Sequence, residues 1–199
     1  MNRFFYAFIL AFTFNAIPAM AQDDSARTVE EVVVTALRKE TNLQDTAITI
    51  TAITSDDLEL KQLENFEDLQ FAVPTLTFAK GAYSGAGISL RGIGNFAVGN
   101  SSSSAIGYFW NGQTASQSGL YEAEFFDVER VEVLRGPQGT LFGSGTTGGA
   151  VQMITVRPNA EAGGNIKVDL ADFDSTRLSG AVNLPLSDSL RSRFAFASL

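Results

Sequence analysis

Six residues in the second half of the chain, Gly143-Ser144-Gly145-Thr146-Thr147-Gly148, carry the spacing G-x-G-x-x-G that can cradle a pyrophosphate. That chemistry needs the loop to open a helix whose N-terminal amides face the phosphates. Here it opens Ala150-Val151-Gln152-Met153-Ile154-Thr155-Val156, a β-prone run, so the match is one of letters only. Gly136 to Thr140 lacks the Gly-Lys-Ser/Thr of a phosphate loop, and no serine sits in G-x-S-x-G. The acids Asp56, Asp57, Glu59, Glu64, Glu67 and Asp68 could in principle supply paired catalytic carboxylates. They fall mainly on the ends of short helices, where a solvated face is the simpler reading. The chain has no His and no Cys, which removes the usual general base, the thiol nucleophile and the commonest metal ligands. No enzyme, cofactor or metal site is expected. A net charge of −8 repels phosphate backbones, so a nucleic-acid partner is not expected either.

The elements that frame the glycines are clearer than any chemistry. Val131 to Arg135 alternates β-branched and charged residues, Gly136-Pro137 turns the chain, and a second strand runs from Ala150 to Val156 before Pro158. Between them, five of the twelve residues from Gln138 to Gly149 are Gly. So dense a run implies close backbone approach and positive φ, not a solvated linker. At 199 residues and 45% hydrophobic, the chain has room for one sizeable core to pack this unit against.

Upstream, Met1-Asn2-Arg3, the apolar run Phe4 to Phe14 and Ala19-Met20-Ala21 read as a secretory signal peptide over residues 1–21, cleaved after Ala21. The apolar run is too short to cross about 30 Å of hydrocarbon as a helix. Residues 22–46 form a polar leader around one β-prone segment, Val29 to Ala36. Such a segment can add itself as a strand to a partner's sheet edge, or can be the first strand of the domain. Residues 47–125 read as mixed α/β. Ala47 to Thr54 alternates as a strand, Ser55 caps a helix over Asp56 to Lys61, and Asn65 caps a second over Phe66 to Phe71. Further strands are expected at 75–78, 87–91 and 107–110, with Asn111-Gly112 as a hairpin turn.

From residue 164 onward the pattern changes. Ile166, Val168 and Leu170 alternate with Asn165, Lys167 and Asp169. Leu178, Val182 and Leu184 oppose Arg177, Ser179 and Asn183, and Phe194 and Phe196 oppose Arg191 and Arg193. Three strands of this kind suit an outer-membrane β-barrel, and a soluble half-buried meander alternates in the same way.

Assembled in order, the chain resembles the N-terminal part of a TonB-dependent outer-membrane receptor. The match is strongest over Val128-Glu129-Arg130-Val131-Glu132-Val133-Leu134-Arg135-Gly136-Pro137-Gln138-Gly139-Thr140-Leu141-Phe142-Gly143, with Gly148-Gly149-Ala150-Val151 after it. Ser89 to Gly94 looks like the second Arg-Gly element of a plug, and Glu30-Glu31-Val32-Val33-Val34-Thr35-Ala36 resembles a TonB box. The implied fold is an α+β plug, a small mixed sheet with short helices, followed by the first antiparallel strands of a transmembrane β-barrel. Residues 47–160 would be the plug and 164–199 the first three wall strands. The implied partners are TonB with its inner-membrane energising complex, outer-membrane lipid, and an extracellular ligand such as a ferric siderophore. Arg91 and Arg135 match plug arginines that lock onto barrel glutamates, and Gly92, Gly136, Gly139, Gly143, Gly148 and Gly149 match the plug glycines. Plug apices carry ligand contacts in this family, which points to Tyr83, Phe96, Ser102 and Ser103. Tyr108 and Trp110 suit that role or core packing equally. Asn111 and Ser144-Gly145 depart from the residues common in relatives.

A barrel of about 22 strands needs far more chain than the 36 residues after Gly163. These residues are therefore expected to be the N-terminal fragment of a receptor for energy-coupled uptake, unable to transport alone. The alternative is a freestanding periplasmic plug-like binding module. What Phe126 to Pro158 packs against is expected to lie mostly in wall strands outside this sequence.

Overall fold

A computed structural model describes residues 33–34, 41–42, 48–80, 86–94, 104–115, 118–171 and 175–198. In chain order the first elements are β1 (Val33–Val34), β2 (Thr41–Asn42), β3 (Ile50–Thr54), α1 (Ser55–Leu60), α2 (Phe66–Ala72), β4 (Leu76–Lys80), β5 (Ala86–Leu90) and β6 (Ile93–Gly94). They are followed by β7 (Ile106–Trp110), β8 (Gln113–Thr114), a 3₁₀ turn at Ser118–Glu122, β9 (Val128–Arg135), α3 (Gly139–Phe142) and β10 (Gly149–Thr155). Last come β11 (Gly163–Ala171), β12 (Ser175–Pro185) and β13 (Arg191–Ser198).

The strand pair expected around the glycines is the centre of a five-stranded sheet of order β3-β9-β10-β7-β8. β9 pairs antiparallel with β3 and β10, and β10 pairs parallel with β7. This corrects the expectation that the segment's partners lie outside the chain. Both central strands are buried on both faces, as their dense Val, Met and Ile content requires. One face carries Val131, Val133, Val151, Met153, Ile53 and Tyr108 into the main core, beneath the two longer helices. The other face carries Leu134, Ala150 and Phe109 into a smaller cluster with Phe142 of α3. Arg130 and Glu132 also lie buried, with Arg130 Nε donating to Glu132 at 2.8 Å, and Arg130 pairs in addition with Glu129.

Local sequence signals explain the helices. Asn65 caps α2 in a reciprocal capping box with Asp68, accepting from Glu67 and Asp68 amides while Asp68 accepts from the Asn65 amide. Thr54, not Ser55, caps α1; its hydroxyl accepts from the Asp57 amide, and the helix starts one residue earlier than expected. α2 buries Phe66, which meets Tyr108, Tyr121 and Phe125 edge-on, with centroids 4.9, 5.7 and 5.3 Å away. Tyr108 is 1% exposed, so core packing is its role. Asn111 and Gly112 both take positive φ, as the hairpin turn demands. The Asn111 carboxamide also donates to Thr155 Oγ1 at 2.9 Å and accepts from the Thr155 amide at 3.0 Å, a pairing that uses both ends of the amide.

β11, β12 and β13 form a separate three-stranded antiparallel sheet. Its register places Ile166, Val168, Leu178, Val182, Phe194 and Phe196 on one face, all exposed. The opposite face carries Asp169, Arg177, Asn183 and Arg193, and polar side chains there meet the preceding domain. An apolar face left bare beside a polar face turned inward inverts the soluble pattern and suits a wall strand in lipid. Among the described residues no helix is long and apolar enough to cross a membrane.

Candidate functional site

Arg135 ends β9, and its amide donates to Thr49 O at 3.0 Å. Its guanidinium is held by two threonines: Nε donates to Thr75 Oγ1 at 2.9 Å and Nη2 to Thr51 Oγ1 at 2.7 Å. Arg91 follows β5 in a left-handed turn, φ +54°, with its amide on Thr75 O at 2.8 Å. Thr75 therefore ties the two expected lock residues together. Burial, and secondly the nearby Arg91 cation, pull the Arg135 pKa below its ordinary value. Among the described residues neither arginine forms an ion pair with a carboxylate. The Arg135 guanidinium, bonded to two threonine hydroxyls and with the Arg91 cation nearby, gives this end of the sheet a positive charge.

Glycines build the turn beside them. Gly149 has φ +146°, and a Cβ there would lie 2.3 Å from Leu134 O. At Gly148 a Cβ would meet Ile106 and Ile93 methyls at 2.7 Å, so the strand entry passes flush against β7. Gly92, Gly136 and Gly143 take positive φ, and Gly139 opens α3.

The β-prone leader segment is only partly within the described residues. Val33 and Val34 pair antiparallel with Asn42 and Thr41. Val34 is fully buried in the smaller cluster with Phe109, Leu134, Phe142 and Ala150, while Val33 is 41% exposed. Glu30, Glu31, Val32, Thr35 and Ala36 lie outside the described residues, as do Tyr83, Phe96, Ser102 and Ser103.

One set of contacts was not anticipated. Arg193 of β13 grips Asp127 bidentately, Nε to Oδ2 at 2.8 Å and Nη2 to Oδ1 at 2.6 Å. Arg177 of β12 spans Glu64 and Glu124 at 2.9 and 2.6 Å. Glu64, read from sequence as part of a solvated face, is therefore an ion-pair partner of the outer sheet. The alternation of β12 and β13 already put Arg177 and Arg193 on the polar face. Nothing in the sequence indicated which acids that face would meet. Among the described residues no group of three or more Asp or Glu side chains is arranged to hold a metal ion.

A mixed sheet with short helices, followed by antiparallel strands with an inward polar face, is the arrangement expected of a plug and the strands after it, and the sequence comparison agrees on the plug. The TonB-dependent Receptor Plug Domain family matches residues 42–150, and the chain belongs to that family. It is 30% identical over 188 residues to an iron-regulated outer membrane virulence protein of Vibrio cholerae, covering 86% of this chain and 28% of that protein. It is likewise 30% identical over 199 residues to a ferric enterobactin receptor of Pseudomonas aeruginosa, covering 90% of this chain and 26% of that one. The ferric yersiniabactin uptake receptor of Yersinia pestis superposes with a TM-score of 0.67 at 25% identity, over 75% of this chain and 24% of that chain. This chain thus spans little more than a quarter of the length of the relatives it matches.

Proposed function

We propose that these residues serve as the plug and opening wall strands of an outer-membrane receptor that imports a ferric siderophore or similar large nutrient with energy delivered through TonB. The observation that carries this reading is the sheet β11-β12-β13. Its bare apolar face suits lipid and its polar face is ion-paired to the plug, which a freestanding periplasmic module has no use for. Family membership and the ferric ligands in the relatives' names support the substrate class.

In this reading Glu30 to Ala36 is the segment TonB takes by strand addition, since main-chain pairing needs only an extended edge. Among the described residues the ladder of β1 with β2 is two residues long, a pairing short enough to exchange for another. Arg91 and Arg135 act as the lock. Their cationic end awaits carboxylates from the barrel wall, and breaking such a pair from one side is costly. The plug yields when the leader is pulled, and the ligand passes.

The test is energised uptake of ferric enterobactin and ferric yersiniabactin by cells carrying the receptor, with and without residues 29–36. Loss of uptake with retained ligand binding at the cell surface is expected on deletion. Uptake that continues unchanged would refute the role of the segment.

A further inference from the structure

Arg135 is seated by the strand into which the leader runs. β3 is antiparallel to β9, with Ile50 opposite Leu134 and Thr51 opposite Val133. Just before β3, Thr49 O accepts from the Arg135 amide at 3.0 Å. Within β3, the Thr51 hydroxyl reaches diagonally across the ladder and accepts from Arg135 Nη2 at 2.7 Å. The backbone and the side chain of Arg135 are therefore both held from β3. A hydroxyl that accepts from a guanidinium makes a charge-assisted bond, stronger than one between neutral groups.

A second hydroxyl on Arg135 comes from a different segment. Thr75 Oγ1 accepts from Nε at 2.9 Å, and Thr75 stands between α2 and β4, beyond both helices along the chain. The guanidinium is thus shared between a strand that follows the leader and a residue that the chain reaches only later.

Packing ties the leader to the same place. Val34 is buried against Leu134, the residue before Arg135, and Ile50 and Ala52 of β3 pack on that cluster. Leader, β3 and the last turn of the β9 ladder are buried together, so apolar contacts and hydrogen bonds converge on the end that carries Arg135.

We infer that β3 is the release strand of the Arg135 lock, and that Thr51 is the positioning residue that couples the two. This rests on the reading that the partner pulls residues 29–36 and that Arg135 locks the plug to the wall. Force travelling along the chain from Val34 enters β3 at Thr49, beside Arg135. The first rung it meets is the bond from the Arg135 amide to Thr49 O, and the next contact on Arg135 is the Thr51 hydroxyl. Withdrawal of β3 takes both away, while the Thr75 hydroxyl stays. The guanidinium loses one of the two hydroxyls that orient it, and the lock loosens from the plug side before force reaches β9 itself.

Single-molecule pulling on the N-terminal segment of the receptor in outer-membrane vesicles tests this without recourse to uptake. The inference can therefore fail while the transport reading stands, and unchanged uptake on deletion of residues 29–36 would refute that reading whatever the pulling shows. Release of the chain from Val34 to Thr54 adds roughly 70 Å of contour length. Thr51→Val keeps the shape and β-branching of the side chain and removes the acceptor. At a fixed force it should speed this first release at least about tenfold, the loss expected for one hydrogen bond to a charged group. Thr51→Ser keeps the hydroxyl and should stay within about twofold of wild type. Thr75→Val loosens the same guanidinium from a segment the force has not reached, and should also stay within about twofold. In an Arg135→Met receptor, adding Thr51→Val should change the rate by less than about twofold. A Thr51→Val rate equal to wild type, an equal acceleration by Thr75→Val, or an undiminished Thr51→Val effect in the Arg135→Met receptor would each overturn the inference. The comparison of Thr51→Val with Thr75→Val leaves Arg135 in place, so it decides the matter even where Arg135→Met prevents assembly.

Discussion

Replacing Gly149 by Ala tests how tightly the Gly-rich turn is built. Gly149 opens β10 opposite Arg135, with φ +146°. A Cβ there falls 2.3 Å from the Leu134 carbonyl oxygen and 2.7 Å from Leu90 Cδ1. The leucine methyl can rotate away. The carbonyl belongs to β9, paired on both sides, and cannot retreat without shifting the ladder with β3. Overpacking of that kind costs about 1–3 kcal/mol, and a side chain in so sparsely populated a backbone region about 1–3 kcal/mol more. Together these approach a large share of the roughly 5–15 kcal/mol that stabilises a typical domain. Gly139→Ala is the control: it lies at the start of α3, with nothing within 4 Å of the added carbon and no positive φ. It should be neutral or stabilising by up to about 1 kcal/mol. Denaturant unfolding can be followed by the single tryptophan, Trp110, whose strand pairs with β10 at Met153. Gly149→Ala should lower the midpoint with little change in slope. A loss below about 1 kcal/mol, or one equal to that of Gly139→Ala, would refute the steric argument.

Two further outcomes follow from the core and the caps. Burial, and secondly the charge of Tyr121, raise the Tyr108 pKa above its ordinary 10.0, and burial raises that of Tyr121. Their contribution is fully present below pH 10 and is lost as pH rises beyond it, because the unfolded chain releases protons that the folded chain keeps. Stability should fall above pH 10, less steeply in Tyr108→Phe; tyrosinate absorbance that leaves the Trp110 signal intact while both residues ionise would contradict this. Asn65→Ala removes one half of the α2 capping box and should cost about 1 kcal/mol in the same denaturation assay; an unchanged midpoint would count against the cap.

Local features were readable in the sequence because each depends on neighbours along the chain. The β-branched runs of β9 and β10, the Asn65 cap, the Asn111-Gly112 turn and the alternation of the three C-terminal strands all emerged close to where they were expected. Pairings that join distant segments did not. Nothing in Ile106 to Trp110 announces a parallel partner at Gly149 to Met153, because parallel pairing leaves no turn between its strands. The threonines that hold Arg135 stood in unremarkable polar positions. Glu64 looked like a solvated acid, and Glu124 and Asp127 drew no attention, because an ion pair formed across 53 to 113 residues has no local pattern. α3 is four residues long inside a glycine-rich run, below the length at which helical periodicity can show.

The direction in which β12 faces separates a wall strand from a strand of a soluble sheet. These 199 residues contain no Cys, and single cysteines placed from residue 177 to 184, in a receptor cleared of any other cysteine, can carry spin labels without background. In outer-membrane vesicles, collision with oxygen reports lipid and collision with a water-soluble nickel chelate reports water. Oxygen accessibility should peak at 178, 182 and 184 and fall at 177, 179 and 183, with a period of two. Peaks at the second set, or no alternation, would contradict a wall strand with its apolar face in lipid and its arginines on the plug.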